Sequence, residues 1–177
     1  MRVVVVGTSG CGKTAFARAL ARRLSAEHIE LDALFWSANW TPRSPELFVE
    51  AVRQAAEAES WVADGNYSSV RDVLWSRATH VIWLHFSRTV VFSRVLWRTL
   101  RRTVTREPLW HGNRESLTKA LFSSDSVILW SLSTYSKNVR QYMELRNHDA
   151  YSHLQWSVLT NPSAAKKFLA LGVPSAA

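Results

Sequence analysis

The sequence predicts an α/β protein built on a parallel β-sheet, and three observations carry that expectation. Val3-Val4-Val5-Val6 runs into Gly7-Thr8-Ser9-Gly10-Cys11-Gly12-Lys13-Thr14 and then into Ala15–Leu20, an order that reads strand, glycine-rich turn, helix. Further short apolar stretches recur along the chain, separated by segments with helical spacing, the alternation expected of right-handed parallel crossovers. A chain of 177 residues, 47% hydrophobic, can bury one real core. No internal repeat, low-complexity tract or linker divides it, so one domain over 1–177 is expected.

The first strand, Arg2–Val6, is an unbroken β-branched run, which suits a central strand covered on both faces. The first helix should run from Lys13 to Ser25, with Phe16, Leu20 and Leu24 on its buried face. His28–Asp32 reads as strand two, with Asp32 at its carboxyl end. Phe35-Trp36-Ser37-Ala38-Asn39-Trp40-Thr41-Pro42-Arg43 reads as an aromatic loop. Ser44-Pro45-Glu46 combines a cap, a first-turn proline and an acid, which together mark a helix start. Trp61–Gly65 is strand three and again ends at an aspartate, Asp64. A short helix should cover Ser68–Ser76, and His80–Phe86 should form strand four. The long helix from Ser87 to Thr105 carries Arg94, Arg98, Arg101 and Arg102 within one arc, at about 0°, 40°, −20° and 80° on a helical wheel. Phe92, Val95, Leu96, Leu100 and Val104 fall on the opposite arc, so that side is expected to be buried. Arg106–Arg114 reads as a loop, and Leu117–Leu145 as a helical region with a break near Ser123–Ser126. His153–Thr160 is strand five, and Asn161-Pro162-Ser163 opens a last helix ending near Gly172.

Gly7–Thr14 matches G-x-x-x-x-G-K-[ST], the P-loop pattern, in the strand–turn–helix context that the pattern requires. Glycines in such a turn let successive backbone N–H groups point at one phosphate chain, and the following helix adds the positive end of its dipole. Gly7, Thr8, Ser9, Gly10, Cys11, Gly12, Lys13 and Thr14 are therefore expected to hold ATP, with Arg94 and Arg102 adding charge from the long helix. Lys13 would reach the β- and γ-phosphates, and the Thr14 hydroxyl would ligand Mg²⁺. A Rossmann turn is disfavoured because the glycines read G-x-x-G-x-G.

Charge is uneven. Residues 1–64 hold 7 Lys/Arg and 8 Asp/Glu, whereas residues 65–177 hold 15 and 6. Arg88–Arg114 contains seven arginines against Glu107 alone, which points to a polyanionic partner. One cysteine excludes an internal disulfide framework. No apolar run approaches the ~20 residues that cross a bilayer. With strand one starting at once, no room is left for a secretory signal, and a cytoplasmic location is expected.

Phosphoryl transfer needs a metal-side carboxylate and positive charge around the moving group. Asp32 and Asp64 end apolar strands, and either can serve as metal-side acid or as acceptor of a substrate proton. Lys13, Asp32, Asp64, Arg98 and Arg101 form the expected catalytic set. Thr14 and Asp64 are the expected metal ligands. Asp32, Trp36, Trp40, Arg43, Asn66, Arg106 and Arg114 are expected to bind the acceptor: indole planes can stack a base, Arg43 can hold an anion, and the loop arginines can close and exclude water. His85 reads as a hydrogen-bonded core residue. Cys11 reads as a small filler of the loop.

Gly7–Thr14, Leu31-Asp32-Ala33-Leu34-Phe35-Trp36 with Asn39-Trp40, Trp61–Tyr67, the arginine-rich helix and Leu109-Trp110-His111-Gly112-Asn113-Arg114-Glu115 together resemble the small P-loop kinases of the adenylate kinase-like superfamily. More narrowly, they resemble the FlaR-related or "DNA topology modulation protein" subgroup. The resemblance implies a three-layer α/β/α sandwich with a five-stranded sheet ordered 2-3-1-4-5. It implies a core at 1–32, 61–97 and 146–177, an acceptor region at 33–60 and an arginine lid at 98–137. It assigns Asp64, within Asp64-Gly65, to the Mg²⁺ side. The superfamily often closes strand four with Leu-Asp, and here the pair is Leu84-His85.

The expected activity is transfer of the ATP γ-phosphoryl to a nucleoside, nucleotide or similar small acceptor. The competing reading is a nucleic-acid-associated or regulatory nucleotide-binding protein that uses the same arginines on a backbone. A GTPase switch is disfavoured, since neither D-x-x-G nor N-K-x-D follows the loop, and the length argues against an ABC or AAA+ motor.

Overall fold

Four consecutive valines set the centre of the sheet. The computed structural model describes residues 1–105, 110–113 and 127–171, of which 102–104 and 127–132 are described as backbone only. In chain order the elements are β1 (Arg2–Gly7), α1 (Lys13–Leu24), β2 (Glu27–Glu30), α2 (Leu31–Phe35), a 3₁₀ turn at Ala38–Trp40, α3 (Pro45–Ala55) and β3 (Trp61–Asp64). A 3₁₀ turn at Ser68–Val70 leads into α4 (Arg71–Trp75), β4 (His80–Leu84) and α5 (Arg88–Thr105). A 3₁₀ turn at Trp110–Gly112, α6 (Val127–Arg146), a 3₁₀ turn at Asp149–Tyr151, β5 (Gln155–Leu159) and α7 (Pro162–Leu171) complete the described chain.

The sheet is parallel and ordered β2-β3-β1-β4-β5, as the resemblance implied. β1 is central, and its alternate valines explain the unbroken run. Val3 and Val5 pack on one face with Val62, Ile82, Phe16 and Leu20 of α1, Val91 and Val95 of α5, and Ala165 of α7. Val4 and Val6 pack on the other face with Ala63, Val81, Trp83, Phe48 and Val52 of α3, Leu74 of α4 and Tyr142 of α6. Helices thus cover both faces in three layers. Val5 registers with Asp64, Gly7 with Leu84, and Glu30 with Asp64. The glycine-rich turn and two carboxylates therefore meet at one carboxyl edge of the sheet.

Three expectations are corrected. β2 ends at Glu30, so Asp32 lies in the first turn of α2 and not at a strand end. The reason is that β3 stops at Asp64, which leaves nothing for β2 to pair with beyond Glu30. Leu31 also packs onto Gly65 so closely that a Cβ there would sit 2.8 Å from the Leu31 Cβ. β5 begins at Gln155 rather than His153, because its partner β4 begins at His80. Finally, α5 is rolled relative to the expected wheel. Val91, Val95 and Thr99 are buried, whereas Phe92, Leu100 and Trp97 are 40%, 41% and 71% exposed. Contact of Val91 and Val95 with the P-loop and Phe86 outweighs burial of the longer apolar arc. The proposed break near Ser123–Ser126 and the helix end near Gly172 lie outside the described residues. Among the described residues no helix is long and apolar enough to cross a membrane.

Candidate active site

Gly7 closes β1, and Lys13 and Thr14 open α1, so the loop between them bends tightly back over the sheet edge. The Cys11 amide donates to the Thr8 carbonyl at 3.1 Å. Gly10 has φ +86°, and a Cβ there would lie 2.0 Å from Val95 Cγ2. Only glycine fits, because conformation and contact with α5 both forbid a side chain. The loop is braced from three sides. Lys13 Nζ donates to the Gly7 carbonyl at 2.8 Å, and Asn66 Nδ2 donates to the same oxygen at 2.8 Å. The Tyr142 hydroxyl donates to Asn66 Oδ1 at 2.8 Å, which ties α6 to the loop. Burial pushes the Tyr142 phenol far up, so it remains a neutral donor. From α5, Arg94 Nη1 donates to the Cys11 carbonyl at 2.7 Å with its guanidinium 5.1 Å from the Phe86 ring centre. Cys11 is fully buried, and burial raises its thiol pKa, in keeping with a filler.

Asp64 is 3% exposed, yet both its oxygens are satisfied. Thr14 Oγ1 donates to Oδ2 at 2.8 Å, and His28 Nε2 meets Oδ1 at 2.8 Å. His28 and Glu30 alternate with buried Ile29 on β2, so both face the same side of the sheet. Glu30 stands in register with Asp64. Its carboxyl is pushed above the usual range by burial and by the Asp64 charge, against a hydrogen bond from Trp110 and the attraction of His28 and Arg18.

Asp32 faces the other half of the site. The Tyr67 hydroxyl donates to its Oδ1 at 2.7 Å, and burial with the Asp32 charge keeps that phenol protonated well above neutral pH. Trp36 packs edge-on to Trp40 at 5.6 Å, and Trp40 packs edge-on to Trp110 at 6.2 Å. Arg43 is half-buried, and its backbone N–H donates to the Phe35 carbonyl at 2.8 Å, closing the 36–42 turn. His85 is half-buried, its ring tilted against Trp83 with centres 4.5 Å apart, and burial lowers its pKa.

The structure thus brings Lys13, Thr14, Asp64, Asn66 and Arg94 together around the loop and places Asp32, Trp36 and Trp40 on the neighbouring 31–43 segment. Asn66 spends both its amide atoms inside the site. Arg98 is half-buried and Arg101 exposed on α5. The Arg102 side chain, Arg106 and Arg114 lie outside the described residues. His28, Glu30, Tyr67, Tyr142, Trp110 and Asn113 were not expected at the site. Strand alternation ahead of the shared edge was a usable signal for His28 and Glu30, and none existed for Tyr142, some 76 residues from its partner.

A family model described as "ATPase family associated with various cellular activities (AAA)" matches residues 3–82, less than half of the chain. That stretch takes in the P-loop and Asp64 and ends before α5. No curated protein matches the sequence. Among solved structures, a gluconokinase from Sinorhizobium meliloti 1021 aligns with a TM-score of 0.53 over 96% of this chain and 91% of that one, at 20% identity. The fold is that of the P-loop NTPases, with the loop at its usual place at the carboxyl edge of a central strand.

Proposed function

We propose that the protein is a Mg·ATP-dependent phosphotransferase acting on a small hydroxyl-bearing acceptor: a nucleoside, a nucleotide or a similar metabolite. The structural likeness to a gluconokinase extends the candidates to sugar acids. The observation that carries this reading is the contact between Thr14 and Asp64 at the mouth of the P-loop, 2.8 Å long. A hydroxyl and a carboxylate side by side are hard oxygen donors, the kind that suits Mg²⁺. When bound with ATP, the ion would neutralise charge on the β- and γ-phosphates.

The chain's own residues then divide the work. Backbone amides of 8–13 cradle the phosphates, and Lys13 leaves the Gly7 carbonyl to reach them. His28 holds Asp64 in the orientation that Thr14 needs. Asp32 keeps one oxygen free of Tyr67 and can take the acceptor's proton, while Asp64 serves the metal side. Arg94 already points into the loop, and Arg98 and Arg101 follow it along α5, where planar guanidinium forks suit phosphate oxygens. The inward turn of Arg94 supports a nucleotide reading of the basic helix over a nucleic-acid one. The FlaR-related assignment, a cytoplasmic location and a small-molecule partner belong to the same proposal.

The test is Mg·ATP turnover against nucleosides, nucleoside monophosphates and D-gluconate, with Lys13→Ala as control. Acceptor-dependent turnover that Lys13→Ala abolishes is the expected result. Hydrolysis that no acceptor accelerates, together with tight, salt-sensitive DNA binding, would transfer the arginines to the competing role.

A further inference from the structure

Beyond α5 the chain is described at Trp110–Asn113. This stretch is docked on the acceptor-side turn. Asn113 is 6% exposed. Its Nδ2 donates to the Ser37 carbonyl at 2.9 Å, and its Oδ1 accepts from the Trp40 amide at 3.0 Å. One planar amide therefore clasps the 37–40 turn at both ends, a pairing that few other side chains can make. The contact is reinforced by Trp110 edge-on to Trp40 and by His111 Nε2 at 3.3 Å from the Ala33 carbonyl. Trp110 also lies beside Glu30, which stands in register with Asp64.

The clasped turn holds an unfavourable backbone. Asn39 and Trp40 have φ of +58° and +55°, and His111 has φ of +55°. Asparagine tolerates that region, but a tryptophan there is a true outlier that its surroundings must impose. The Asn113 oxygen on the Trp40 amide is one contact that holds this conformation in place. Trp40 is thereby fixed between Trp36 and Trp110, directly beside the segment that carries Asp32.

We infer that Asn113 is a positioning residue that clasps the end of the arginine-bearing segment onto the 37–40 turn and so shapes the acceptor side of the site. Its two side-chain hydrogen bonds both go to the 37–40 turn and not to the P-loop. The inference rests on the phosphotransferase reading for the meaning of "acceptor side", but the clasp itself can be tested without any substrate.

Asn113→Ala and Asn113→Asp are compared with the unaltered protein. Hydrogen exchange at the Trp40 amide should rise about tenfold or more in Asn113→Ala, the loss of one buried hydrogen bond. The coupled-indole band in circular dichroism should fall with it. Asn113→Asp keeps an oxygen for Trp40 and loses the donor to Ser37, so it should lie between. Mg·ATP affinity by calorimetry should stay within about twofold in both, which shows an intact loop and fold. With whichever of D-gluconate, a nucleoside or a nucleoside monophosphate supports turnover, Asn113→Ala should raise the acceptor KM about tenfold and leave the ATP KM unchanged. Unchanged exchange and dichroism in Asn113→Ala overturn the clasp. Equal rises in both KM values reduce Asn113 to general packing. If no probe turns over with the unaltered protein, the phosphotransferase reading fails, while exchange and dichroism still decide the clasp.

Discussion

Two aspartates that the sequence placed alike at strand ends stand in different chemical situations. Asp64 is buried, with Thr14 on one oxygen and His28 on the other. Asp32 is half-exposed, with Tyr67 on Oδ1. Asp32→Asn should therefore lower kcat by about 10²–10⁴ with Mg·ATP affinity little changed, as loss of a general base does. Asp64→Asn should instead weaken Mg·ATP binding, and titrating Mg²⁺ at fixed ATP separates the two. If Asp32→Asn keeps full kcat with every active acceptor, the division of roles is wrong. Glu30 makes a different prediction. Its folded pKa is raised, so the folded state holds a proton that the unfolded chain has already released. Stability then falls as pH rises from the ordinary carboxylate range through the raised pKa. Glu30→Gln removes that penalty and can keep the Trp110 contact. Melting curves should show the variant ahead of the unaltered protein at pH 7, with the gap closing below about pH 4. A gap independent of pH would mean that ionisation of Glu30 is not the cause. The resemblance already set Asp64 on the metal side, but the partners that separate the two aspartates, and those that raise the Glu30 pKa, come from other strands and helices and were not visible in the sequence.

At the level of elements, the legible parts were those with a local cause. The P-loop, the Ser44-Pro45 helix start and the central valine run each rest on neighbours in the chain, and each stands where expected. The end of β2 and the roll of α5 were not legible, since a strand ends where its partner ends and a helix turns toward its tightest contact. For α5 that contact is Gly10 beneath Val95. Gly10→Ala must shift either the loop or the helix, because its new Cβ would lie 2.0 Å from Val95 Cγ2 at a backbone φ of +86°. We expect a loss of about 1–3 kcal/mol in stability, read by denaturant unfolding, the usual cost of overpacking. Mg·ATP affinity should drop at least tenfold by calorimetry. Combining Gly10→Ala with Val95→Ala tests the mechanism: part of the stability should return, because the obstructing methyl is gone. No recovery would place the strain in the φ angle alone. The apolar side of α5 that faces outward, with Trp97 foremost, shows no such contact among the described residues, and nothing in the sequence marked it as the exposed side.

Across the whole molecule, the phosphate loop is where the layers join. α5 reaches it from one side of the sheet through Arg94, and α6 reaches it from the other through Tyr142 and Asn66. β1, β3 and β4 converge on it through Gly7, Asp64 and Leu84. A ligand held there engages groups from every layer, so its binding energy adds to global stability and not only to the loop. Mg·ATP at 100 times its Kd should stabilise the native state by about 2.7 kcal/mol. For a chain of this size that corresponds to a rise of about 5–10 °C in Tm. Lys13→Ala should abolish the rise. Tyr142→Phe, which leaves Asn66 Oδ1 without its donor, should lower the starting Tm but keep the rise, because the phenol touches no phosphate. If Mg·ATP leaves the melting temperature of the unaltered protein where it was at saturating concentration, no ligand is being held at the junction of the layers, and the basic helix serves some other anion.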